Sequence, residues 1–390
     1  MKKITLIGSF SGRNAGDIAI LANILHDFAQ VRSDVQFLIP TLKPSFVTTH
    51  YGHYNVKPMG MMPWHFSLKA FGLATYRSMS STDMVMITDN ALFDRKLYNP
   101  LVNTLFSVAL MAPTCKKKNI PIVFYNASVG PIETEKGREL MQTVLDATKL
   151  VTLRDSSTKE LFEKLQLRSP HIHLLADAAI NTLPSPDERL QKIFADENLF
   201  ASDSAGTISF NVNSYIDNWS NTGKLTREQF CRIMAAAIDN VVEELGVDIL
   251  LTVTQVMDEK ITSEVRQYIQ NAYKVRMISN RKYTCNDIVG ILRGVDTHIG
   301  LRTHSLIFCA AVNTPMISIN SYPKNAGFMR SIGQDDWMIE FEDLNVDYIT
   351  QKVIDSWRNR NRRREELIPI TSIEKEKARK AVHLVDELLG

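Results

Sequence analysis

Arg302 and His304 are the residues whose types and spacing best suit chemistry, in the stretch Gly300-Leu301-Arg302-Thr303-His304. Arginine presents a planar fork of N–H donors that matches a carboxylate or a phosphate. Histidine gains or loses a proton near neutral pH. Two residues apart on one turn, these side chains could hold an anionic substrate and move a proton on it. The structural alternative is that Arg302 pairs with an acidic neighbour and His304 caps a helix, and the motif taken alone favours it.

The residues around this pair predict that it lies where a strand gives way to a helix. A β-type run, Thr297–Ile299, ends at Gly300. Ser305–Ala311 then repeats apolar side chains at helical spacing. In an open α/β sheet this edge binds ligands, and a helix N-terminus there favours anions. Lys324 follows the next predicted strand and adds a cationic group near the same edge.

Three other predicted turns carry polar residues. Asn14 and Asp17 lie on a Gly-containing turn after the first strand, which matches neither a dinucleotide fingerprint nor a P-loop. A carboxylate at Asp17 would disfavour phosphate and favour hydroxyl groups such as those of a sugar, although a simple N-cap is its more frequent role. Asn126 to Pro131 follows the run Ile120–Tyr125, and Arg154-Asp155 follows Leu150–Leu153. Taken alone, Arg154-Asp155 favours a helix start with a structural ion pair.

The spacing of apolar residues predicts strands and helices in alternation. The predicted strands are Ile4–Ser9, Val35–Ile39, Met84–Thr88, Ile120–Tyr125, Leu150–Leu153, His173–Leu175, Thr207–Asn211, Asp248–Val253, Val275–Ile278, Thr297–Ile299 and Met316–Ile319. The predicted helices between them are Asp17–Val31, Pro100–Lys118, Glu135–Thr148, Ser156–Leu165, Thr226–Leu245, Glu259–Ala272 and Asn286–Arg293. This order predicts parallel sheets with right-handed crossovers. Residues 41–80 break the alternation and are interpreted as an irregular insertion or lid.

The alternation is interrupted once more, at residues 181–206, where Pro184 and Pro186 precede an Asp/Ser-rich stretch. A chain of 390 residues is long for one domain and sufficient for two. We therefore expect an α/β fold of two doubly wound, Rossmann-like domains facing a cleft. Residues 1–180 would form the N-terminal domain, 181–206 a linker, and 207–390 the C-terminal domain with a C-terminal helix.

Composition excludes several classes of protein. The 45 basic and 43 acidic residues give a formal net charge of +2, which provides no field for nucleic acid. The four cysteines are scattered, without a C-x-x-C pair, as expected of reduced thiols in a cytosolic protein. The sequence has no D-x-D or H-x-x-x-H cluster, so we expect no metal. No apolar stretch reaches the roughly 18 residues that a membrane span requires.

Six short motifs together resemble the polysaccharide pyruvyl transferase family. They are Asn14–Ile20, Ser128–Pro131, Thr152–Asp155 with Ser157, Ala176-Asp177, Gly300–His304 and Tyr322–Lys324. Each is weak alone, but their order and spacing cover nearly the whole chain. The resemblance implies a two-domain fold like that of GT-B glycosyltransferases, with the N-terminal domain on the acceptor side and the C-terminal domain on the donor side. It also implies transfer of a pyruvyl group from phosphoenolpyruvate to two hydroxyls of a sugar in a bacterial surface polysaccharide or its precursor, as a cyclic ketal.

The resemblance also implies roles for particular residues. Phosphoenolpyruvate carries a carboxylate and a phosphate, so its site needs fixed cations. Arg302 and Arg154 would hold this donor, His304 would be the acid/base, and Lys324 would add positive charge. The other substrate-binding residues would be Asn14 and Asp17, across the cleft, with Asn126 and Ser128. No cofactor or metal is implied.

The sequence departs from the family at two positions. Thr88-Asp89-Asn90 replaces a Gly-rich turn, which could narrow or repolarise the acceptor cleft, and Asn211 replaces an arginine that could contact an anion. Two alternatives therefore stay open: a glycosyltransferase that uses a nucleotide-sugar, and a non-catalytic homologue. The intact Arg302, His304 and Lys324 argue against the second.

The C-terminal region contains a basic run, Arg358–Arg364, followed by an amphipathic segment, Ser372–Leu389. We interpret the run as a solvated helix end. Its alternative role is contact with anionic lipid, which would suit a lipid-linked acceptor at the inner face of the membrane. The amphipathic segment is predicted to form a helix.

Overall fold

The computed structural model describes residues 1–61, 68–89, 91–94, 103–200, 204–217, 225–321 and 323–390. These residues form two compact units, neither of them a single stretch of chain. The first unit comprises Met1–Gly12, Asp17–Ala178 and Lys375–Gly390. The second comprises Arg13–Gly16 and Ala179–Glu374.

The first unit contains a parallel sheet in the order β3-β2-β1-β4-β5-β6-β7. Its strands are β1 (Lys2–Ile7), β2 (Val35–Thr41), β3 (Val56–Gly60), β4 (Met84–Thr88), β5 (Ile122–Ala127), β6 (Thr148–Leu153) and β7 (Ile172–Leu174). Its helices are α1 (Ala15–Val31), α2 (Pro44–Tyr51), α3 (Leu68–Ser80), α4 (Thr104–Lys117), α5 (Glu135–Leu145) and α6 (Ser156–Lys164). The strand order 3-2-1-4-5-6 is that of the Rossmann fold.

The second unit repeats this order, with a parallel sheet β10-β9-β8-β11-β12-β13. Its strands are β8 (Thr207–Asn211), β9 (Asp248–Val253), β10 (Val275–Ser279), β11 (Thr297–Gly300), β12 (Met316–Asn320) and β13 (Met338–Glu340). The remaining helices are α7 (Asp187–Asp196), α8 (Arg227–Leu245), α9 (Glu259–Tyr268), α10 (Cys285–Arg293), α11 (Thr303–Ala311), α12 (Pro323–Ser331), α13 (Val346–Arg358) and α14 (Arg360–Leu389). The prediction of an α/β fold is thus confirmed.

Helices cover both sheets, and the central strands are buried, including the polar side chains of β8, which are Thr207, Ser209 and Asn211. All five residues of β4 and of β8 are buried. Such strands are typical of parallel sheets with helices on both faces. In each sheet the strand order reverses beside the first strand, between β1 and β4 and between β8 and β11. Ligands of open α/β sheets bind at the carboxyl ends of strands at this point.

The predicted irregular insertion at residues 41–80 is wrong, because its described part contains α2, β3 and α3. The strand β3 lies at the edge of its sheet and contains Pro58. Proline has no backbone N–H to donate to a neighbouring strand, but it is tolerated in an edge strand. Its presence in the sequence therefore argued against a strand that the structure contains. The predicted start of a helix at Pro100 lies outside the described residues, and α4 is described from Thr104.

The two units divide the chain differently from the predicted domains. The stretch interpreted as a linker, 181–206, contains α7 and belongs to the second unit. The end of α14 belongs to the first unit, where the Asn126 side chain donates to the Ala378 carbonyl (2.9 Å) and Lys2 donates to the Leu389 carbonyl (2.6 Å). These contacts join residues far apart in sequence.

The basic run at the start of α14 is largely used within the fold, so its interpretation as a solvated helix end is wrong. Arg363 is 1% exposed, stacks 3.6 Å from the Trp337 ring centroid and donates to the Met316 carbonyl (2.7 Å). Burial lowers the pKa of its guanidinium to about 9. Arg358 and Arg360 pair with acidic residues of the same unit. Within the described parts of the chain, no helix is both long and apolar enough to cross a membrane.

Candidate active site

The turn between β11 and α11 holds Arg302 and His304 at the carboxyl edge of the second sheet, as the sequence predicts. Arg302 occupies the N-cap position of α11, and its backbone N–H donates to the side-chain oxygen of Asn211 at the end of β8 (3.0 Å). The Asn211 amide donates in turn to the Thr252 carbonyl (2.8 Å). Asn211, the position where the resemblance noted in the sequence leads us to expect arginine, therefore bonds the turn to β8 and β9 at the switch point.

The Arg302 guanidinium makes a two-point ion pair with Asp258, a residue that sequence reasoning missed. Nε donates to one carboxylate oxygen (2.8 Å) and Nη2 to the other (2.7 Å). Asp258 is fully buried, Arg302 retains 14% side-chain exposure, and the Tyr215 ring lies 4.8 Å from the guanidinium carbon. The structural alternative is thus observed, yet it uses one edge of the guanidinium. The edge formed by Nη1 and the second Nη2 hydrogen takes no part in this pair.

His304 lies in the first turn of α11 against the backbone of Gly16. A Cβ atom at Gly16 would overlap the His304 imidazole at Nδ1 and Cγ. The segment Arg13–Gly16 belongs to the same unit, held by an N–H from Ala15 to the Thr254 carbonyl (2.8 Å) and one from Val256 to the Arg13 carbonyl (3.0 Å).

Asn14 and Asp17 occupy different positions around the start of α1. Asn14 precedes the helix, and its side-chain oxygen accepts from the Gly16 N–H (2.9 Å). It therefore shapes the turn that contacts His304. Asp17 lies inside the first helical turn and is 6% exposed, so it is not the N-cap. Direct contact of either residue with substrate stays a prediction.

Lys324 lies at the start of α12 and is 9% exposed. The next residue, Asn325, accepts from the Thr303 hydroxyl (2.5 Å) and donates to the Leu301 carbonyl (2.9 Å). The start of α12 is therefore bonded to the Arg302 turn, which places Lys324 near the same sheet edge. Tyr322, part of the same sequence motif, lies outside the described residues.

Arg154, in the first unit, is enclosed by acidic side chains. Its guanidinium lies 2.5 Å from Asp177 and 3.2 Å from Asp89, and its side chain is 8% exposed. Burial alone would lower the pKa of Arg154, but these carboxylates raise it above its ordinary value. Two carboxylates outweigh one guanidinium in charge. The structural alternative for Arg154 is therefore observed, and its predicted contact with an anionic donor gains no support.

Asn126 and Ser128 are buried within the first unit. The Asn126 backbone N–H donates to the Thr152 hydroxyl (2.7 Å), and its side chain holds α14. The Ser128 hydroxyl lies 3.4 Å from that of Thr158. At 2% and 1% exposure, both side chains serve packing in this structure, and their predicted substrate contacts stay untested.

A cavity of about 200 Å³ opens at the carboxyl ends of β1 and β2 in the first unit. Its described lining combines hydroxyl and amide groups with apolar walls, and includes Ser9, Phe10, Thr41, Asn103 and Thr104. Such a lining is suited to an uncharged polar molecule. Among the residues that the structure describes, no group of three or more His, Cys, Asp or Glu side chains could hold a metal ion.

The family model for polysaccharide pyruvyl transferase matches residues 14–322 of this chain. The chain belongs to the polysaccharide pyruvyl transferase family. A curated relative, the amylovoran biosynthesis protein AmsJ of Erwinia amylovora, is 25% identical over 392 aligned positions, covering 90% of this chain and 91% of AmsJ. The resemblance noted in the sequence is thereby confirmed.

Solved structures show the fold that this pyruvyl transferase family member adopts. The Anabaena protein HepE, in complex with UDP and glucose, matches with a TM-score of 0.63 and 13% identity over 100% of this chain and 99% of HepE. The UDP-GlcNAc 2-epimerase of Neisseria meningitidis, bound to UDP-GlcNAc, matches with a TM-score of 0.65 and 12% identity, covering 100% and 99% of the two chains. At these identities the likeness shows a GT-B-like fold of two Rossmann-like units and nothing about ligands.

His298 is a second residue that sequence reasoning missed, since it looked like one position of a short strand. It lies in β11, is fully buried, and has a hydroxyl 3.0 Å from each ring nitrogen, Ser209 at Nδ1 and Ser305 at Nε2. Burial lowers the pKa of His298 to about 3. The folded family member therefore keeps a neutral imidazole directly beneath the Arg302 turn.

We expect His298 to make stability fall as the pH drops. The unfolded chain binds a proton at His298 below a pKa of about 6.5, whereas the folded chain does not until about pH 3. The unfolded state therefore binds more protons between these values, and acidification favours unfolding. His298→Gln should be destabilising, but by about 1 kcal/mol less at about pH 5.5 than at about pH 7. Urea unfolding of both proteins at the two pH values measures this, and an equal penalty at both would contradict it.

We expect Gly16→Ala to lower turnover strongly, because the added methyl group must displace the His304 ring. A loss of about 10²-fold is reasonable for misplacing a reacting group. Steady-state rates with phosphoenolpyruvate and an accepted glycan give the measurement. The matched control is Gly327→Ala in α12, where a Cβ would meet no atom within 4 Å. Similar rates for the two variants would show that the Gly16 contact is unimportant.

Proposed function

We propose that this chain transfers a pyruvyl group from phosphoenolpyruvate to two hydroxyls of a sugar residue, in a surface polysaccharide or its precursor, and closes them into a cyclic ketal. Family membership and the likeness to an amylovoran biosynthesis protein support the general class. The observation that carries the proposal is the pairing of Arg302 and His304 on one turn at the start of α11, with one guanidinium edge outside the Asp258 pair.

The donor end of this site is suited to an anion. Asp258 fixes the orientation of Arg302, whose other edge matches a carboxylate or a phosphate. No side chain caps the first turn of α11, and the positive end of the helix dipole lies there. Lys324 would add positive charge from α12. Arg154 is not needed for this function.

The chemistry then follows from His304 acting as an acid and afterwards as a base. Protonated His304 gives its proton to the methylene carbon of phosphoenolpyruvate, which creates an oxocarbenium-like centre at the adjacent carbon. A sugar hydroxyl forms a C–O bond there, and the C–O bond to phosphate breaks. A second hydroxyl closes the ketal. Of the two hydroxyl protons released, one restores His304 and the other leaves on phosphate. We propose that no metal ion takes part.

The acceptor, in this proposal, binds at the carboxyl edge of the first sheet. The cavity beside β1 and β2 offers hydroxyl, amide and apolar groups, the combination that a sugar ring matches. Asp89 and Asp177 add carboxylates, which accept hydrogen bonds from hydroxyl groups. The excess of negative charge there would repel phosphoenolpyruvate, which favours separate regions for donor and acceptor.

Mass spectrometry of candidate glycans incubated with the protein tests the proposal. With phosphoenolpyruvate, we expect the mass gain of a pyruvate ketal and an equal amount of inorganic phosphate, also after dialysis against a chelator. Calorimetric titration with phosphoenolpyruvate and with UDP-sugars distinguishes the glycosyltransferase alternative. Glycosyl transfer from a UDP-sugar without phosphoenolpyruvate would overturn the proposal, as would the absence of phosphoenolpyruvate binding.

A further inference from the structure

Four hydrogen bonds link three strands of the second sheet to the turn that carries Arg302. The hydroxyls of Thr252 and Ser209 lie 2.8 Å apart, and the Ser209 hydroxyl lies 3.0 Å from His298 Nδ1. His298 Nε2 lies 3.0 Å from the Ser305 hydroxyl, which donates to the Arg302 carbonyl (2.7 Å). Apart from Arg302, every side chain of this series is 0% exposed.

The chemistry of these groups allows one arrangement of protons. The Arg302 carbonyl can only accept, so the Ser305 hydroxyl proton points to it, and Ser305 must accept from His298 Nε2–H. A neutral imidazole has one N–H, hence Nδ1 accepts from Ser209, and Ser209 accepts from Thr252. Each group in the series therefore donates its proton to the next group on the side of Arg302. Water does not reach the series, so each bond is costly to leave unmade.

We propose that His298 is a positioning residue for the transfer reaction, acting through Ser305 to fix the Arg302 carbonyl and with it the first turn of α11. This inference rests on the proposed function of Arg302 and His304. The residue that His298 holds, Ser305, directly follows His304 in the chain. The Arg302 carbonyl also accepts the Ser305 backbone N–H (2.9 Å), so the residue that follows His304 is bonded twice to one carbonyl.

The surroundings of His298 show that space is reserved for this contact. A Cβ atom at Gly300 would lie 2.5 Å from the Ser305 hydroxyl and 2.7 Å from His298 Nε2. Only glycine therefore permits the bond between them at this distance. An apolar side chain at position 298 would fill the same core without needing two buried hydroxyls as partners. The hydrogen-bonded series therefore fixes the geometry of the turn, although an apolar side chain would stabilise this part of the core as well or better.

Two serine variants separate positioning from packing. Ser305→Ala and Ser209→Ala each remove one buried hydroxyl that contacts His298, but only Ser305 joins it to Arg302. We expect Ser305→Ala to lower kcat about tenfold or more, and Ser209→Ala to lower it less than about threefold, with KM for phosphoenolpyruvate changing less than kcat in both. Equal losses of kcat in the Ser305→Ala and Ser209→Ala variants would show that His298 serves packing alone. Losses of kcat that parallel the losses of melting temperature would show the same.

Two His298 variants add a rescue test. In His298→Gln an amide N–H can replace Nε2–H and still donate to Ser305, whereas in His298→Asn the side-chain oxygen can replace Nδ1 and only accept from Ser209. We expect the His298→Gln variant to have a several-fold higher kcat than the His298→Asn variant. The reverse order would overturn the proposal.

A measurement independent of activity separates failure of this inference from failure of the proposed function. NMR of ¹⁵N-histidine-labelled protein should show one of the nine histidines in the Nε2–H tautomer with a slowly exchanging proton, absent in His298→Gln. A protonated Nδ1 would overturn the inference even in an active enzyme. The expected tautomer in a protein that makes no ketal would instead locate the failure in the proposed function.

Discussion

Replacing His304 with glutamine should lower turnover by roughly 10²- to 10⁴-fold, the contribution expected of a positioned acid. Protonating a vinylic carbon is slow in water, and a glutamine amide can donate a hydrogen bond but cannot transfer a proton. Affinity for phosphoenolpyruvate should change little, because Arg302 and the first turn of α11 are retained. Rates at saturating phosphoenolpyruvate, with calorimetric titration of the same variant, measure the two effects separately.

A purely electrostatic role for His304 predicts the opposite division of effects. The variant would then bind phosphoenolpyruvate about tenfold more weakly, roughly 1.4 kcal/mol, and turn over normally at saturation. His171→Gln is the matched control, since His171 is exposed and lies in the first unit. It should leave both quantities unchanged.

Replacing Arg302 with lysine should cost most of the activity, about 10²-fold or more in kcat/KM, while the fold survives. One ammonium group cannot bond both Asp258 oxygens in parallel and also present a second planar edge to an anion. Partial loss of the partner of the buried Asp258 should also lower the melting temperature somewhat. Kinetics over a range of phosphoenolpyruvate concentrations, together with thermal melts, test both expectations.

Arg281→Lys is the matched control for this substitution. Arg281 also contacts both oxygens of a carboxylate, Glu259, in the same unit, but its side chain is 64% exposed. Because exposed ion pairs contribute little, this variant should behave like the wild type. If Arg302→Lys also turned over normally with an unchanged melting curve, Arg302 would have no role in holding the donor.

Much of the fold follows from short-range patterns. Most strands of the two sheets contain buried apolar residues, and most predicted strands and helices agree with the structure to within a few residues. The Arg302 turn was predicted for the same reason, since Gly300 ends a strand and apolar spacing restarts at Ser305. Local patterns failed between residues 41 and 80, where an edge strand contains proline.

Partners across a sheet edge were not predictable, because they depend on strand order. Arg154 follows β6, whereas Asp89 follows β4, and the order β4-β5-β6 brings their side chains together. The same holds for Arg302 and Asp258, which follow β11 and β9 on either side of β8. The sequence identified the cations in both cases but not their pairing with these carboxylates.

The departure at Thr88-Asp89-Asn90 has a physical account for its described part. Asp89 has a φ of 53°, in the left-handed region that glycine adopts without strain. Aspartate tolerates this region better than most residues. Its carboxylate also pairs with Arg154, so this turn carries a negative charge that a glycine would not supply, while the predicted repolarisation of an acceptor cleft stays a prediction. Asn90 lies outside the described residues.

The interleaved make-up of the two units limits how such enzymes can be recombined. A chimera joined at one point, after Ala178, would take Arg13–Gly16 from one parent and His304 from the other. In such a chimera Gly16 and His304, which lie against each other, would come from different parents. The C-terminal residues Lys375–Gly390 would likewise be separated from the Asn126 they bond. Exchange of intact units instead requires four junctions, after Gly12, Gly16, Ala178 and Glu374, so a functional chimera of this chain needs more than one crossover.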